Sequence, residues 1–174
     1  EKTLFIFITH SPEKVLQTIF SRCQSRRVMP FTKEEMEKTR AMNPFDDREE
    51  YDQFMDLFAD LMRAVTSGEL QAALECGEAV AGLESREKQK AFCNFAGECI
   101  RKIFMVQQKM PQIAGIADQE QEFYADMAGR CGKGFCMRTI TNIEKVVAMI
   151  DRNVSSKILF CDLVNRMYLS IWSR

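Results

Sequence analysis

Ser21-Arg22-Cys23 places a lone arginine between small polar neighbours just after a short apolar-polar segment, and it is the best candidate for chemistry in this chain. A guanidinium is always charged and planar, and it forks onto two oxygens at once, which suits a phosphate. The same residue type at a helix end also commonly makes a solvated ion pair of little worth, and spacing alone leaves both readings open. Thr9 brings a hydroxyl to the end of the apolar run Leu4-Phe-Ile-Phe-Ile8. His10, the only histidine, reads as a polar residue at a strand end rather than a general base. A phosphate loop of the form G-x-x-x-x-G-K-[ST] does not occur. Gly129-Arg-Cys-Gly132-Lys133 has the wrong spacing for one and reads as a helix end and loop. Cys131 and Cys136 stand five apart, with neither a second cysteine pair nor a histidine at zinc-site spacing, so no metal site is assigned.

The elements that must position these residues are mostly helices. Residues 4–9 predict a strand, and such an unbroken apolar run is expected to be buried on both faces of a parallel sheet. Ser11-Pro12-Glu13 opens a short helix, with serine as cap and proline in the first position. Residues 24–28 allow a second short strand. Thr32-Lys-Glu-Glu35 reads as a capping box for a helix that stalls near Pro44. Beyond Asp47, with Glu50 as its capping partner, a helix carries Phe54, Leu57, Phe58, Leu61, Met62 and Val65 on one stripe, ended by Ser67-Gly68. An Ala-rich helix over 69–83 follows, its Ala72, Ala73, Gly77 and Ala79 permitting close helix contact. Ser85 caps a long helix with Phe92, Phe95, Ala96, Cys99, Ile100 and Ile103 on one face, ended by Met110-Pro111. Helices are further expected over 118–130, from a Thr141/Glu144 capping box, and over 156–172. The last is apolar on more than one face, so it is expected to sit centrally.

Composition narrows the class. The 174 residues, 46% apolar and 28% charged, suit a soluble globular chain with a real core. Net charge is −1, so no global field draws it to nucleic acid or membrane. Residues 1–40 hold eight Lys/Arg against five Glu, enough only for a local basic patch at Arg22, Arg26 and Arg27. Seven scattered cysteines, with no secretory signal and no membrane-length apolar run, predict reduced thiols in the cytoplasm and no membrane partner. A buried strand without visible partners predicts that the chain is part of a longer protein.

Thr9-His-Ser-Pro-Glu-Lys-Val-Leu-Gln-Thr-Ile-Phe-Ser-Arg-Cys-Gln24 resembles the end of the ATPase module of clamp-loader subunits. In that family a strand carries the sensor-1 position, and a Ser-Arg-Cys motif supplies an arginine finger to ATP held by the neighbouring subunit. Asn153-Val-Ser-Ser-Lys157-Ile-Leu-Phe160-Cys-Asp162-Leu163 resembles the last collar helix of the delta-prime subunits of bacterial DNA polymerase III clamp loaders. Glu87-Lys-Gln-Lys-Ala-Phe92 is similar to the same family. The resemblance spans nearly the whole chain, and Ser-Arg-Cys is its one sharp motif.

The resemblance implies a mainly α fold. Residues 1–30 would end an α/β nucleotide-binding lobe, 31–45 would be a remnant of the lid with a chain gap near 39–42, and 46–174 a helical collar of five to six helices. It implies Arg22 as an arginine finger in trans and Thr9 at the sensor-1 position, vestigial where the cognate nucleotide site is degenerate. No cofactor would be bound by this chain, and ATP-Mg would sit on the neighbouring subunit. The partners would be the motor subunits and delta, with the sliding clamp and primer-template DNA met through the complex. The chain would have no self-contained active site, yet belong to the polymerase III holoenzyme. An ATP-hydrolysing motor subunit and a helical interaction module without a nucleotide role are the alternatives.

Overall fold

Helical periodicity dominates the computed structural model, which describes residues 5–9, 12–27, 48–132 and 134–172. Its first compact unit is 1–46 and its second 47–174. The expected capping boxes at Thr32–Glu35 and Asp47–Glu50, the lid remnant at 31–45 and His10 lie wholly or partly outside the described residues.

In the first unit a 3-10 turn, Pro12–Lys14, precedes a single-turn helix, α1 (Gln17–Phe20). The helix expected from Ser11 is thus broken at Val15-Leu16. The predicted strands do not form: residues 5–9 and 24–27 belong to no ladder, and there is no strand among the described residues. Phe5, Ile6, Phe7 and Ile8 are 60–89% exposed rather than buried. The physical reason is that strand geometry is held by hydrogen bonds to a second strand, and the described chain offers none.

Among its described residues the second unit holds six α-helices: α2 (Arg48–Ser67), α3 (Leu70–Ala81), α4 (Arg86–Gln107), α5 (Gln121–Arg130), α6 (Phe135–Ile150) and α7 (Ser156–Trp172). The chain is therefore mainly helical. Helix α7 packs on α3, α6 and α2, while α4 packs on α6 and α5. The predicted stripe of α2 is buried at Phe54, Phe58, Leu61, Met62 and Val65. Edge-to-face aromatic contacts join it to α4 and α5: Phe54 to Phe92 at 5.5 Å, Tyr51 to Phe95 at 5.2 Å and Phe58 to Phe123 at 6.2 Å between centroids.

Gly77 lets α3 lie close against α7. A Cβ there would stand 2.9 Å from a Val164 methyl and 3.4 Å from the Phe160 carbonyl oxygen. Ser85 caps α4 as its type predicts, accepting the Lys88 N–H at 3.1 Å.

The Thr141 capping box is corrected. Thr141 lies inside α6, where its hydroxyl donates to the Met137 carbonyl one turn back. Phe135, Cys136 and Thr139 are buried ahead of it and extend the apolar stripe toward the amino end. Residues 118–120 form a 3-10 turn, with α5 beginning only at Gln121. Helix α7 is not central all round: Leu159, Phe160, Leu163, Val164 and Met167 are buried, whereas Ile158 and Leu169 are exposed.

Candidate functional site

Arg22 follows α1 directly. Ser21 ends that helix, and its N–H reaches the Gln17 carbonyl at 2.9 Å. The Arg22 N–H donates to Ile19 at 3.0 Å, and the Cys23 N–H to Phe20 at 3.3 Å. Two successive backbone bonds of this tight pattern fix the turn, and the Ser21 hydroxyl adds a long contact to the Thr18 carbonyl at 3.4 Å. The Arg22 side chain is exposed and has no hydrogen bond or ion pair with another described residue. Arg26 and Arg27, farther along, are exposed as well. Cys23 is exposed. Thr9 is exposed in the same compact unit. An arginine on a fixed turn can supply positive charge and a bidentate fork to a phosphate brought to it.

The cysteines serve packing. Cys93, Cys99, Cys131 and Cys136 are buried, and burial pushes their thiols up, to about 12, 11, 12 and 11 respectively. Thiols held protonated are poor nucleophiles and poor metal ligands. Cys136 instead donates weakly to Gln107 Oε1 at 3.6 Å, while Gln107 Nε2 donates to the Cys131 carbonyl at 2.7 Å. Among the described residues no three His, Cys, Asp or Glu gather as metal ligands.

One polar cluster has no counterpart in the sequence reading. Glu120, 8% exposed, accepts the Tyr51 hydroxyl on Oε1 at 2.6 Å, and Lys102 Nζ stands 3.6 Å from its Oε2. Lys102 also lies over the Tyr124 ring at 5.2 Å, and the Tyr124 hydroxyl donates to Cys99 Sγ at 3.2 Å. Burial, then Cys99, pushes the Tyr124 phenol well above its ordinary range. The cluster ties the first turn of α2 and the turn before α5 to α4, and its chemistry is that of a structural anchor. An acidic residue in a polar run carries no sequence signal of burial, which is why it was not anticipated.

A shallow depression of about 470 Å³ at the start of α3 is lined by Glu69, Leu70, Gln71, Ala72 and Glu75. Its two carboxylates and lack of a lining cation make it unsuited to phosphate. No described helix is long and apolar enough to cross a membrane. No protein-family model, curated protein or solved structure matches the chain.

Proposed function

We propose that this chain is a clamp-loader subunit of the delta-prime type. In this reading it is a stator that joins the motor subunits and delta through its helical unit and presents Arg22 to the ATP-Mg of a neighbour. The observation that carries the proposal is the Ser21-Arg22-Cys23 turn, which leaves the Arg22 guanidinium exposed and without a side-chain partner among the described residues. Support also comes from the six-helix unit that follows, the kind of surface on which subunits assemble.

The chemistry follows from charge. As the terminal phosphoryl group transfers, negative charge develops on its oxygens, and an arginine in reach neutralises it, a contribution on the order of 10³ to 10⁵ in rate. Arg22 would act on a neighbour's nucleotide, as the Ser-Arg-Cys arginine does in the family that the chain resembles. ATP binding would assemble the loader on the sliding clamp, and hydrolysis triggered by primed DNA would release it. In this reading Thr9 holds the sensor-1 position, vestigial where the cognate nucleotide site is degenerate.

The test is clamp- and DNA-stimulated ATPase of a loader rebuilt from this organism's full-length subunits, with wild type or Arg22→Ala. Turnover is expected to fall at least tenfold, about 1.4 kcal/mol of barrier, with assembly intact by gel filtration. Unchanged turnover in an assembled complex removes the finger. Failure of wild type to assemble removes the clamp-loader reading altogether.

A further inference from the structure

We draw no further inference here: the strongest candidate, the exposed apolar patch of Ile158, Leu169 and Trp172 on the outward face of α7, carries none because nothing in the structure shows what covers it.

Discussion

Two side chains, Arg22 and Glu120, represent opposite uses of charge in this protein. Arg22 follows a turn whose bonds come from backbone and a serine hydroxyl, and its side chain pairs with no other described residue. Glu120 is drawn into the helical unit, where Tyr51 and Lys102 offset the cost of burying a carboxylate. A hydrogen bond to a charged acceptor contributes about 1.5–3 kcal/mol. Tyr51→Phe keeps the edge contact with Phe95 and removes that bond. Its urea midpoint should therefore fall by the equivalent of about 1.5–3 kcal/mol, against under 0.5 for Asp56→Asn on the exposed face of the same helix. Arg22 was visible in the sequence because motif and position coincide. Glu120 was not, because its burial depends on where a turn before α5 lands against α4.

At the scale of elements, three helices of the second unit end in one way. Gly68, Lys109 and Asn153 have positive φ of 81°, 61° and 61°. The N–H of the next residue reaches back to Ala64, Met105 and Met149, at 3.0, 3.0 and 3.3 Å. That is the Schellman closure, which satisfies carbonyls the helix leaves open. Glycine announces it at 68, asparagine half announces it at 153, and a lysine at 109 gives no signal at all. The small residues of α3 were likewise legible as a close-packing face, and Gly77 is where the approach is tightest. Gly77→Val should drive its methyls into Val164 and Phe160 and cost about 1–3 kcal/mol by overpacking. Gly97, inside α4 with nothing within 4 Å of an added Cβ, should respond in the opposite sense. There Gly→Ala should raise stability by up to about 1 kcal/mol. Thermal unfolding of the two variants checks both signs.

Over the whole molecule, the thiols set a pH limit. Burial raises Cys93, Cys99, Cys131 and Cys136 from 9.0 to about 11–12, so the unfolded chain releases these protons first as pH rises. Their contribution is full below pH 9 and is lost as pH climbs through 11–12. Stability should thus be level from neutral pH to about 9 and fall by several kcal/mol beyond it, measurable as urea midpoints at pH 7, 9 and 10.5. The same burial predicts that an aromatic disulfide reagent at pH 8 titrates Cys23 and Cys161 quickly, Cys76 more slowly, and the remaining four only on unfolding. Rapid reaction of more than three thiols in the folded protein would contradict this packing.

The sequence by itself determined what depends on neighbours in the chain. Apolar periodicity set the helices over 48–67, 70–81 and 86–107, and Ser85 set the cap of the last of these. Tertiary structure decided what depends on residues far apart in the chain. It put Thr141 inside α6 rather than at its start, left Phe5 to Ile8 without a ladder, and sent only one apolar face of α7 into the core. A helix apolar on two sides looks central when read alone. Which side is covered is fixed by where α2, α3 and α6 pack against it, a relation that no local pattern encodes.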